Sequence, residues 1–331
     1  MEVKKIKKYG FTMIEIIIVI VIAAILSAGT FVALKEIYLR SARSKAITEL
    51  SSASTVASAQ VASLLKDRVP SSVIGYDTNI SNFKSIYEID ITYNVLEWIG
   101  TSAESFNHKD YSGFIDMDDS NKSANELYSP DTNISSIASS IKQKFDLSSN
   151  PFDSNLSAVV FAGSFDNGEL VLSDEFNNSF GWHGNSADKV YAISSSSSGD
   201  RIVLKTHPQV IYEKYFLVDS AYALARGEDL NRSIMTNNCH FDTSFLDDKE
   251  YKNTLFLFYN YRPWNNETFC ADPNTLHSES RDGNVTILAG EVKGFRANLL
   301  NGNLQFSITL QREISSDKKH SVTISKQRVI F

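Results

Sequence analysis

Gly10, Phe11 and Glu15 stand together in the segment KKYGFTMIE, with Lys4, Lys5, Lys7 and Lys8 at or ahead of it and an apolar run behind. A carboxylate near the start of an apolar segment is costly to leave alone and marks a function by default. The other chemistry-bearing residues lie far along the chain. Cys239 and Cys270 are the only thiols. With no CxxC and no further cysteine, a thiol-only zinc site is excluded. The pair suits one disulfide in an oxidising compartment, or two unremarkable free thiols in a reducing one. Cys239, His240, Cys270 and His277 could ligate zinc in principle, but their spacing is unlike a common finger. Asp116, Asp118 and Asp119 form an acidic cluster with Asn121 and Glu126 close by. It lacks the glycine and the final glutamate of an EF-hand loop, so a solvated loop stands beside a weak metal candidate.

Enzyme signatures are missing. There is no G-x-S-x-G elbow, H-E-x-x-H helix, Walker A loop or G-x-G-x-x-G opening a helix. The six histidines, at 108, 183, 207, 240, 277 and 320, are scattered. Trp98, Trp182 and Trp264, with fourteen tyrosines, could build an adhesive surface or simply a core. No enzyme and no cofactor is expected. The net charge is −7 over 331 residues, and the first ten residues are a local +3, so the remaining body carries −10. Such a body repels phosphate, and no nucleic acid is expected as partner.

The element that must position Glu15 is the run behind it. From Ile16 to Leu34 no residue is charged. Nineteen residues at about 1.5 Å rise nearly match a hydrocarbon core of roughly 30 Å. The preceding lysines favour a cytoplasmic N-terminus. An ordinary secretory signal needs a small-x-small cleavage site, and Leu26-Ser27-Ala28 begins with a large residue. An ordinary anchor explains the run but not Glu15.

KKYGFTMIE resembles the processing site of class III signal sequences, the prepilin family. The resemblance implies cleavage after Gly10 by a prepilin peptidase, N-methylation of the new N-terminal Phe11, and a role in assembly for Glu15, the fifth mature residue. Met13 stands where leucine is commoner, and Val32 where many members carry a helix-breaking proline. On this likeness, the methylated amine of Phe11 on one subunit would pair with Glu15 of a neighbour, so that a register error leaves two charges unpaired in an apolar bundle. A carboxylate that merely snorkels to the membrane surface is the alternative. The resemblance implies an inner-membrane, single-pass location with the head in the periplasm, or in an extracellular fibre, and other pilin or pseudopilin subunits as partners. It also implies an oxidising setting for Cys239 and Cys270, hence a disulfide, and calcium sites occur in related heads.

The helical spacing continues past the apolar run. Ala42, Ala46, Leu50, Ala53, Ala57, Val61 and Leu64 fall on one face, and Val69-Pro70 supplies a stop. The spacing predicts one helix over 12–66, roughly 80 Å long. Four segments follow: 1–10 as leader, 11–34 as membrane span, 35–69 as its periplasmic continuation, and 70–331 as head. Residues 70–155 are polar with apolar islands, among which Ile134, Ile137, Ile141 and Phe145 have helical spacing. From about 156 the texture is that of antiparallel strands, with an Asn301-Gly302 hairpin turn. The fold class expected is α+β, the pilin ladle, with a long helix packed on an antiparallel sheet head. The tail from Glu291 to Phe331 resembles the closing strands of J-type minor pseudopilins of type II secretion. The function implied is that of a structural minor pilin or pseudopilin at or near a fibre tip, with a fibre-displayed adhesin or ligand-binding subunit as the alternative.

Overall fold

The computed structural model describes residues 10, 12–76, 83–86, 94–165, 174–237, 239–270, 283–300, 303–314 and 320–330. The architecture is α+β, with a long N-terminal apolar helix and antiparallel sheets, the pilin-like arrangement. Helix α1 spans Met13–Lys66 as one element. It ends where Arg68 donates to the Leu65 carbonyl at 2.7 Å, ahead of Pro70, which cannot continue it. The chain divides into two units, Met1–Ser51 with Arg312–Thr323, and Ser52–Gln311 with Ile324–Phe331.

In the first unit the helix exposes its whole apolar run and buries only Ala46 and Leu50. Arg312 donates to Glu49, and this hydrogen bond holds the Glu49 carboxyl below its ordinary range. In the second unit the buried helix positions are Ser54, Ala57, Ser58, Val61 and Leu65. The stripe therefore runs through Ser54 and Leu65, while Ala53 is exposed and Leu64 half-buried. Serine is small enough to sit in a close contact, and its hydroxyl can satisfy itself locally, as Ser58 does on the Thr55 carbonyl at 3.1 Å.

Most of the second unit is sheet. Strands β1 (Ile74–Tyr76), β2 (Lys84–Ser85) and β3 (Val95–Thr101) come first. Helix α2 (Ala103–Asn107) and strands β4 (Asp116–Asn121) and β5 (Glu126–Tyr128) follow, then helix α3 (Ile134–Phe145). Next come β6 (Ala158–Phe161), helix α4 (Asp174–Asn177), β7 (Tyr191–Ala192), β8 (Arg201–Val203) and β9 (Tyr215–Arg226). Helices α5 (Arg232–Asn237) and α6 (Asp248–Lys252) precede β10 (Leu255–Tyr261) and β11 (Asn284–Ala289). The chain closes with β12 (Val292–Leu300), β13 (Asn303–Glu313) and β14 (Ser321–Ile330). Strands thus begin well before residue 156. Five of them lie in the segment that composition alone reads as polar with apolar islands.

The main sheet runs β11-β10-β9-β3-β1-β2, with β6 and β7 joined to it through β9. Its antiparallel centre is β9, flanked by β3 with Trp98 opposite Tyr222, and by β10 with Phe256 opposite Ala225. β12 and β13 form an antiparallel hairpin with Leu300 opposite Asn303. Its turn residues Asn301 and Gly302 lie outside the described residues.

Because β9 is buried on both faces, its residues feed two cores. Val218, Ala221, Ala223 and Ala225 belong to a cluster that includes Trp182, Phe256, Phe258 and Phe269. Tyr215 and Leu217 belong to a second, closed by Ile134, Ile137 and Ile141 of α3. α3 starts where the Asn133 side chain accepts from Ser136 N at 3.1 Å, and stops at Asp146 in the left-handed region. Its last turn carries Lys144, whose ammonium reaches both oxygens of the buried Asp219 on β9 at 3.0 and 3.1 Å. Burial alone would lower the Lys144 pKa, but the Asp219 carboxylate outweighs it and the net direction is upward.

Two outcomes follow from this packing. Asp219→Asn leaves a buried ammonium without its counter-charge and should cost about 3 kcal/mol or more in a chemical denaturation of the head, whereas Ser135→Ala on the exposed face of α3 should be nearly neutral. Burial pushes up the phenols of Tyr111, Tyr215 and Tyr222, and takes Tyr251 to about 12. Groups raised in the folded state, Lys144 included, contribute stability that is complete below their unfolded pKa, about 10. That stability is lost as pH rises through the folded values. Thermal midpoints should therefore fall steeply above about pH 10, and tyrosinate absorbance should develop together with unfolding rather than before it.

Candidate functional site

The N-terminal junction is built on the first turn of α1. Gly10 is exposed, with open space around the position a Cβ would take. Phe11 lies outside the described residues. Thr12 accepts from Glu15 N at 3.1 Å and from Ile16 N at 3.2 Å through its carbonyl, which makes it the residue that starts the helix. Glu15 bends back on this start, its Oε2 accepting from Thr12 N at 3.4 Å and from Thr12 Oγ1 at 3.5 Å. These are long, weak hydrogen bonds. Thr-Met-Ile-Glu is a Thr-x-x-Glu capping pattern, so Thr12 belongs to the site although the sequence reading passed over it. The signal was present in the spacing of the two residues.

Beyond the first turn the helix surface is mainly apolar as far as Leu34. Ile14, Ile16 to Ile22, Ile25, Leu26, Phe31, Val32 and Leu34 are all exposed. The helix is long and apolar enough to cross a membrane. No bend is marked at Val32, where it continues in α-helical geometry. Thr30 donates to the Leu26 carbonyl, which satisfies its hydroxyl within the helix.

The remaining candidates sit in the second unit. Cys239 and Cys270 are joined as a disulfide, with Cα atoms 5.4 Å apart, inside the ordinary span for such a bond. The bridge ties the residue just beyond α5 to the position after Phe269, a fully buried ring tilted against Phe258 with centroids 4.8 Å apart. This takes both thiols out of any zinc site, and His277 lies outside the described residues. Asp116 heads β4 and its Oδ1 accepts from Asp118 N at 2.9 Å and Asp119 N at 3.3 Å, so it is used in shaping its own turn. Arg201 donates to the Asp119 carbonyl at 2.5 Å and lies over the Tyr128 ring. Among the described residues no group of three or more His, Cys, Asp or Glu is placed to hold a metal ion. Trp98 and Trp182 are core residues, and Trp264 is half-buried with its Nε1 donating to the Asn155 carbonyl at 3.0 Å.

A buried polar group that sequence reasoning missed lies on β3. Glu97 accepts from Tyr261 Oη at 2.8 Å and stands 3.1 Å from His183 Nε2. His183 adopts a left-handed backbone between Gly181 and Gly184, and its ring stacks on Phe83. A glutamate among hydrophobic residues in VLEWIGT gave no sign of its distant partners, which are 164 residues away in one case.

The disulfide closes a loop with a sequence separation of 31. By chain entropy it should stabilise the head by roughly 3–4 kcal/mol. Non-reducing peptide mapping of protein from the cell envelope should recover the Cys239–Cys270 peptide pair, and reduction should lower the unfolding midpoint.

The family model described as the prokaryotic N-terminal methylation motif matches residues 5–31, the stretch that holds Gly10, Phe11, Glu15 and the apolar run. Comparison of the whole chain with curated proteins gives no match, and comparison with solved structures gives none. The motif, the exposed apolar helix and the antiparallel sheets together support a type IV pilin-like protein.

Proposed function

We propose that the chain is a structural minor pilin or pseudopilin of a type IV pilus or a type II secretion pseudopilus. The observation that carries this is the Gly10-Phe11 junction with Glu15 five positions into the mature chain, followed by an apolar helix that is exposed among the described residues. In this reading a prepilin peptidase cuts after Gly10 at the cytoplasmic face and Phe11 is N-methylated. The helix then holds the subunit in the inner membrane with its head in the periplasm. Assembly moves the helix from lipid into a bundle of like helices, which keeps its apolar surface out of water throughout. The long hairpin of β12 and β13 supports the likeness to J-type minor pseudopilins, and the large head supports a place at or near the tip.

Glu15 acts in assembly. In a bundle of low dielectric, an amine on Phe11 of the adjacent subunit left without a carboxylate costs on the order of 3 kcal/mol or more. Insertion does not need Glu15, since Ile14 and Ile16 to Ile18 drive it and removal of a charge eases it.

Mass spectrometry of the mature protein should give an N-terminus at Phe11 carrying one methyl group. A terminus at Gly29 would establish ordinary signal-peptidase processing and overturn the proposal. Glu15→Ala should yield a processed, membrane-resident protein that enters fibres poorly, scored by fractionation with fibre and membrane content measured separately. Normal incorporation would reduce Glu15 to a snorkelling carboxylate.

A further inference from the structure

The sheet of β12, β13 and β14 has one apolar face and one polar face. Phe295, Ala297, Phe306 and Ile308 are buried on the first. On the second, register sets Arg296 opposite Ser307 and Asn298 opposite Gln305. The hydroxyls of Thr309 and Ser325 meet at 3.0 Å, and Ile314 N donates to the His320 carbonyl, which fixes β14 antiparallel to β13. Two residues further along, Gln327 therefore flanks Ser307 on the same face. Arg296, Asn298, Gln305, Ser307 and Gln327, together with Phe306, border a cleft of about 150 Å³. At about 30 Å³ per water, that is room for about five waters, or for one sugar ring.

The lining has a particular chemistry. Gln305 is only 8% exposed, yet among the described residues its carboxamide has no hydrogen-bond partner. Its carboxamide lines the cleft, where it is open to donate and to accept. The Arg296 guanidinium is exposed and, among the described residues, has no ion-pair partner. No carboxylate lines the cleft. A cationic ligand would meet Arg296 with nothing to offset it. An apolar ligand would leave Gln305 unsatisfied. A bare anion would use Arg296 alone and ignore three amides.

We propose that this cleft binds a carboxylate-bearing sugar, with Arg296 taking the carboxylate and Gln305, Asn298 and Gln327 taking the ring hydroxyls. The guanidinium fork matches a carboxylate in two parallel hydrogen bonds. Each carboxamide both donates and accepts, as each hydroxyl does, so the pairing is reciprocal. The site lies within the head's own sheet, and binding in solution does not require leader cleavage or fibre assembly.

The test uses the full-length protein in a detergent without a sugar headgroup, with digalacturonate, its neutral counterpart digalactose, and acetate as probes. Calorimetry and saturation-transfer NMR read the binding. Digalacturonate should bind, and digalactose and acetate should each bind at least about tenfold more weakly. Arg296→Gln and Gln305→Leu should each weaken digalacturonate by about tenfold with the unfolding midpoint unchanged. Arg296 is exposed, so that variant keeps the test valid if Gln305→Leu fails to fold. Absence of digalacturonate binding, equal binding of digalactose or of acetate, or unaltered binding by Arg296→Gln would each overturn the proposal.

Discussion

The chain's organisation depends on one hydrophobic demand. Among the described residues, the largely apolar run at its N-terminal end is exposed along its whole length. Burying even one large aliphatic side chain is worth about 1.5–3 kcal/mol, so a bare run of this length in water is not a viable state. It must lie in lipid or against other helices. Every other N-terminal feature is compatible with both settings, since nothing charged occurs between Ile16 and Leu34. The head answers a different demand, being large enough to bury its own cores on both faces of β9.

The N-terminal junction was legible in the sequence because it rests on adjacency. A glycine, a phenylalanine, a glutamate and an apolar run in fixed order need no tertiary partner to be read. The helix over 12–66, α3 from its isoleucine spacing, and most strands from β6 onward, though not β11, were legible for a similar reason, as period alone marks them. What escaped was set by distant contacts. β3 carries Glu97 in its middle, a poor strand residue by composition, and contacts with Tyr261 and His183 help make its burial tolerable. β4 is DMDDSN, which reads as a loop, and it becomes a strand because β5 pairs with it. The buried stripe of α1 passes through Ser54 and not Ala53 because close approach, not hydrophobicity, selects the residue there.

The head also shows how polar groups are accommodated inside an apolar sheet. Lys144 and Arg262 both lie over the Phe145 ring, at 5.0 and 4.9 Å from its centroid. Each has its own carboxylate, Asp219 and Glu267. The end of α3 is thus held to β9 and to the loop after β10 by two compensated cations and one ring. Such networks fix orientation more than they add stability, because the desolvation cost of each ion is close to what its partner returns.

The contact between Thr12 and Glu15 bears on how easily a fibre can be undone. In the single chain the carboxylate is already engaged, weakly, in closing the helix start. On the proposed reading, joining a fibre replaces that engagement with an intermolecular one, so the gain is a difference between two occupied states rather than the full worth of an ion pair. A subunit that leaves the fibre falls back on its own threonine and returns to the membrane with its first turn intact. On that reading, entering and leaving the fibre would differ by only a small step at this position.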